Sequence, residues 1–136
     1  MWVSLGAKDR GIRHAARVAL EKQPIKNWKK RLAPEKNPVI AFAAMIALAR
    51  IDAQSGASIL QKAMTFKYEE LKDRQQRLDV LRAITLSLTR GGQPAPAQKT
   101  ELIGWLDKIY PASTPEENRD LSAIMQFLQA PSAAKK

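Results

Sequence analysis

The chain has no cysteine and only one histidine, His14, among its 136 residues. Without a thiol there is no disulfide, no thiolate nucleophile and no cysteine-ligated zinc, and one imidazole alone cannot assemble a zinc site. A serine triad has no support either, because no G-x-S-x-G stretch presents a nucleophile to His14. Gly91-Gly92 is followed by neither a third glycine nor a lysine-threonine pair, so it is not a phosphate loop. Aromatic residues are scarce at 6%, and within a 45% hydrophobic composition the core has to be built from alanine and leucine. No apolar run approaches the roughly 18 residues of a membrane span. Met1-Trp2-Val3 lacks the basic start and apolar core of a signal peptide. Acidic residues are in the minority, 13 against 23 Lys and Arg, for a net charge of +10. Residues 1–66 hold 12 Lys and Arg against 4 Asp and Glu, residues 67–136 hold 11 against 9, and the excess therefore lies in the first half. Such a field draws nucleic acid, anionic lipid or an acidic protein, and more commonly does no more than keep a surface solvated.

What is present is a repeated helical stripe. Ile12, Ala15, Ala16, Ala19 and Leu20 follow i, i+3, i+4, i+7, i+8, one face of a helix, and Asp9 just before them is a capping type. A shift of 28 residues lays this pattern on Asn37, Ile40, Ala43, Ala44, Ala47 and Leu48. A further 40 places Ile40 on Val80, Ala43 on Ala83, Ile46 on Leu86 and Leu48 on Leu88, and another 40 reaches Ala123, Ile124 and Leu128. Alanines recurring at matched places allow close helix approach, and periods of this size point to stacked hairpins.

The spacing predicts an all-α chain of hairpins at about 9–33, 37–66, 68–110 and 114–129 in one domain. Asp9 to Lys22 is the first helix, returning after Pro24 through Ile25, Trp28 and Leu32. Pro38 to Ile51 is nearly free of charge and should be buried on more than one side. Ser55 to Phe66 is its partner. A longer helix is predicted from Tyr68 to Arg90, stopped by Gly91-Gly92, with Pro94 and Pro96 keeping the connector open before Ala97 to Tyr110. Thr114 with Glu117 is a capping box with Pro115 at the first helical position, starting a helix to about Gln129. Pro131 onward reads as a frayed tail.

Asp9, Ile12-Arg13, Ala15-Ala16 and Ala19-Leu20 resemble the Asp, Val/Ile-Arg, Ala-Ala and Ala-Leu core of HEAT repeats of the phycobilisome-lyase-like type, with Ala41 replacing the arginine in the second copy. A narrower similarity runs through Ile12 to Glu21, Gln23-Pro24, Trp28, Ala47 to Arg50, Glu117 to Leu121 and Leu128 to Ser132. It is to an interior HEAT region of very large secreted or periplasmic planctomycete-type proteins that often carry a c-type haem domain. The resemblance implies a right-handed α-α superhelix of three to four hairpins belonging to something larger, with a structural bracing role for Arg13. It carries over no catalytic residue and no cofactor, because C-x-x-C-H is absent.

The strongest candidate surface is the basic set Arg10, Arg13 and Arg17, stepping along the flank of the first helix, with Lys26, Lys29, Lys30 and Arg31 on its partner. These cations are suited to neutralising several phosphates. His14, aligned with Phe42, should pack, and Trp28 and Trp105 should be apolar plugs between layers. Glu69, Glu70, Asp73 and Asp79 among Lys72, Arg74 and Arg77 read as a solvated, salt-bridged face. The function expected is a non-enzymatic scaffold for a protein partner or flanking domains, with no small-molecule substrate. Nucleic-acid binding through the basic face, or an accessory segment beside a haem or dehydrogenase domain, are the alternatives.

Overall fold

Four helices start on a side chain that caps them. Asp9 accepts from the Ile12 N–H at 3.1 Å and opens α1, Arg10–Glu21. Asn37 accepts from Val39 at 3.0 Å and opens α3, Pro38–Ile51. Asp73 accepts from Gln75 at 2.8 Å and opens α5, Arg74–Gly91. Thr114 accepts from Glu117 at 3.3 Å and opens α7, Pro115–Phe127. Each cap satisfies an N–H that the first helical turn leaves without a partner. Between them lie α2, Lys29–Leu32, α4, Gly56–Met64, and α6, Pro96–Ile109, with four short 3-10 turns at Val3–Gly6, Ile25–Asn27, Ala53–Ser55 and Tyr68–Glu70. The computed structural model describes residues 2–128, and among these there is no strand.

The capped helices pack in a row, α1 on α3, α3 on α5 and α5 on α7. The others lie beside that row, α4 against α3, α5 and α6, and α6 also against α7. The centre is α3, where Ile40, Ala41, Phe42 and everything from Ala44 to Ala49 are buried. Its alanines let neighbours approach on all sides. The fully buried Phe42, Met45 and Leu48 each contribute about 1.5–3 kcal/mol relative to exposure. Phe42 meets Phe66 edge-on at 4.9 Å between ring centroids.

Four local expectations are corrected. The helix predicted from Tyr68 is split: after the turn Tyr68–Glu70 the chain is extended at Leu71, which turns that side chain into the core, and Asp73 caps a new start. The return of the first hairpin is a 3-10 turn and then only the single α turn of α2, because Trp28 leaves helical geometry at φ −136°. Pro96 does not hold the connector open but occupies the first position of α6, where its missing N–H removes no intrahelical bond. Ile12 is 52% exposed and Ala15 is exposed, while Ala16 and Leu20 are buried and Arg13 and Arg17 are half-buried. The inward face of α1 is therefore rotated towards its arginines. Gly92 at φ +81° terminates α5. A side chain at Gly91 would sit 2.9 Å from the Ala53 carbonyl oxygen. Gln129 and the tail from Pro131 lie outside the described residues.

Candidate functional site

Counting from the caps brings out a feature that the apolar stripes do not. Four residues after Asp9, Arg13 donates from Nη1 to the carbonyls of Ala7 at 2.8 Å and Lys8 at 3.1 Å. Four after Asp73, Arg77 donates from Nη1 to the Leu71 carbonyl at 2.7 Å. Four after Thr114, Asn118 donates to the Ala112 carbonyl at 3.1 Å and accepts from the Ala112 N–H at 2.6 Å. In α3 the place is taken by Ala41, which is buried. Three of the four capped helices thus tie their head to a carbonyl six residues upstream.

Arg77 has a further partner. Its Nε donates to Glu117 Oε1 at 2.8 Å, the Tyr68 hydroxyl donates to the same oxygen, and the Thr114 hydroxyl donates to Oε2 at 2.7 Å. Glu117 is wholly buried. Burial by itself would push its carboxyl up, but the three donors outweigh that and hold it below the ordinary value. The Tyr68 phenol is pushed up, first by burial and then by the neighbouring Glu117 carboxylate. The sequence marks Glu117 only as half of a capping box; its other partners, at Tyr68 and Arg77, are 49 and 40 residues away. Both carboxylate oxygens are engaged, so the group is a joint between α5, α7 and the Tyr68 turn rather than a free base.

The seven predicted basic residues divide. Arg10, Arg13, His14 and Arg17 line a cleft of about 180 Å³ over α3, floored by Val39, Ala43 and Ile46 and closed on the α5 side by Gln75 and Asp79. Arg17 Nη2 lies 3.4 Å from His14 Nδ1. Arg17 Nε is 3.6 Å from Glu21 Oε2, an ion pair too long for a hydrogen bond, and this buried nitrogen has no hydrogen-bond partner. His14 is exposed rather than packed, because it stands at the open cleft over α3 instead of in the contact between the two helices. Asp79 is half-buried in the cleft rather than on a solvated face. It accepts from Gln75 at 2.9 Å, and burial pushes its carboxyl up against the opposing pull of Arg13 and Arg82.

The remaining cations point elsewhere. Lys29 lines a separate, largely apolar groove of about 550 Å³ between α2 and α4, with Leu32, Ala33, Leu48, Ala57 and Lys62. It lies 4.0 Å from Asp52, and Lys62 crosses the groove to donate to the Ala33 carbonyl at 2.8 Å. Arg31 stands over the Trp2 ring at 4.9 Å, while Lys26 and Lys30 are exposed. Trp28 is 2% exposed, with its indole N–H buried and unbonded, whereas Trp105 is half-buried and donates to the Phe66 carbonyl at 3.3 Å. Among the described residues no group of three or more His, Cys, Asp or Glu is placed to share a metal ion, and no helix is long and apolar enough to cross a membrane. Comparison of the chain with protein-family models, with curated proteins and with solved structures finds no match.

Proposed function

We propose that this chain is a HEAT-like scaffold, a right-handed α-α superhelix whose task is to hold a protein partner or neighbouring domain and which performs no chemistry of its own. The observation that carries this reading is the recurring head of its helices. A cap followed four residues later by a side chain tied to the carbonyl six back occurs at Arg13, Arg77 and Asn118, each on a helix packed in the same row. Repeated units that bury one another's faces in this way make a surface rather than a reaction centre. The wholly buried Glu117 is consumed in joining two of those units.

The nucleic-acid alternative draws less support. Of the seven cations, Lys29 stands beside Asp52 and Arg31 lies over Trp2, both away from the cleft that Arg10, Arg13 and Arg17 line. A strip of phosphates needs its cations along one track. The test is a fluorescence-polarisation titration with labelled duplex and single-stranded DNA at low and near-physiological salt. The scaffold reading expects any low-salt binding to vanish at the higher salt; saturable binding on the order of micromolar that survives there overturns it.

A further inference from the structure

The molecule contains its own example of what an arginine at the head of one of these helices binds. Arg77, four residues after the α5 cap, pairs through Nε with Glu117, the third residue after the α7 cap, at 2.8 Å. Arg13 holds the same place in α1, but the third residue after the next cap, Asn37, is Ile40, which is 8% exposed and has no oxygen to offer. Arg13 accordingly meets the cleft over α3 with Arg10 and Arg17 alongside.

Three guanidinium groups face one carboxylate in the lining, Asp79, which is already engaged by Gln75, while Glu21 pairs with Arg17 from outside the cleft at 3.6 Å, beyond hydrogen-bond reach. The buried Arg17 Nε lacks a hydrogen-bond acceptor, and an orphaned donor on a charged group is costly to leave unmade. Arginine forks suit carboxylates in particular. The cleft floor is apolar, formed by Val39, Ala43 and Ile46. At about 180 Å³ it is smaller than the roughly 300–1,000 Å³ of pockets that enclose whole small molecules, and its size suits one side chain.

We propose that this cleft is the docking point of the scaffold's protein partner, and that it takes a glutamate or aspartate side chain flanked by apolar residues, the incoming carboxylate supplying to Arg13 and Arg17 what Glu117 supplies to Arg77. This rests on the scaffold reading and adds to it the chemistry of the partner. An acidic side chain is preferred over a phosphodiester because Lys26 and Lys30 do not line the cleft, and the contact ends within one side chain's length.

The experiment is an NMR titration of the full chain that follows the arginine Nε–Hε signals and the methyl groups of Val39, Ala43 and Ile46. The probes are the capped tripeptide Leu-Glu-Leu, its Leu-Gln-Leu counterpart and a short DNA duplex. The glutamate peptide is expected to shift Arg13, Arg17 and the three floor methyls saturably, with a Kd on the order of millimolar or tighter. The glutamine peptide should bind at least about tenfold more weakly. Double substitution Arg10→Gln with Arg17→Gln, followed through the methyls, should weaken the glutamate peptide by about tenfold or more. Arg13 is left in place because it ties the head of α1 to Ala7 and Lys8. Absence of saturable shifts, equal binding of the two peptides, or unchanged affinity in the double variant overturns the cleft assignment while leaving the scaffold reading intact. Duplex binding at near-physiological salt that shifts the α1 arginine signals together with the backbone amides of Lys26 and Lys30, recorded in the same titration, overturns both.

Discussion

Arg13 and Arg77 are the same residue in the same place at the head of a row helix, and they live in different surroundings. Both donate from Nη1 to the carbonyl six residues upstream. Arg77 then closes on a buried carboxylate that Tyr68 and Thr114 also hold, so its Nε and Nη1 both have partners within the chain. Arg13 opens on a cleft. The difference arises on the neighbouring helix, where the third residue after the cap is Glu117 in α7 and Ile40 in α3. The same arginine is thereby paired with a carboxylate on one helix of the row and left facing a cleft on another, with no change in the arginine itself.

The widest separation between the two regions should come from Glu117→Ala. Removing a wholly buried carboxylate leaves Arg77 and Tyr68 facing each other without an acceptor, and loss of one partner from a buried pair costs about 3–5 kcal/mol. A fall of the urea midpoint equivalent to that loss is the expected outcome; a change below about 1 kcal/mol would mean that Arg77 and Tyr68 find water as readily as Arg13 does.

Acid should reveal the same asymmetry with a smaller effect. The folded Glu117 carboxyl is held below its ordinary value of 4.5. Its contribution to stability is therefore fully present above that unfolded value and is lost as pH falls through the lower, folded one. Asp79 is shifted the other way by burial, so its share has the opposite sign and is present only below its folded pKa. Thermal midpoints from pH 7 downward should drop below about pH 4.5, and Glu117→Gln should flatten the drop. A profile identical in the variant would assign acid sensitivity to other carboxylates.

The smallest effect is expected at the open end. Arg13→Ala forfeits two bonds to partly solvated carbonyls, about 1–2 kcal/mol, and leaves no buried charge behind. Urea denaturation beside the equivalent Arg77→Ala orders the two sites directly. Equal losses would erase the distinction between a brace and a joint.

The caps Asp9, Asn37 and Thr114 are legible from the sequence because capping is local, set by the residue and the few N–H groups after it. So is the burial of α3, since a run such as Ile40-Ala-Phe-Ala-Ala-Met-Ile-Ala-Leu-Ala49 leaves no polar face. The third unit is misregistered by one helical turn: matching apolar residues at a shift of 40 lays Asn37 on Arg77, whereas the cap is Asp73. The physical reason is that residues four apart share a helix face, so a stripe slid by one turn still fits, while a cap does not. The Glu117 joint was out of reach for a different reason, since its donors come from parts of the chain that only folding brings together. The basic set misled through its composition. Seven cations close in sequence say nothing about the two separate depressions, over α3 and between α2 and α4, into which Arg13 and Lys29 are carried.

The four caps at Asp9, Asn37, Asp73 and Thr114 are separated by 28, 36 and 41 residues. The units therefore differ in length by nearly half, yet their heads fall into one row. Alignment belongs to the punctuation of the chain and not to its metre. Residues gained or lost between one return segment and the next cap change the length of a clause without shifting where the following one begins, so the family of sequences compatible with this row is far broader than any fixed-period pattern describes.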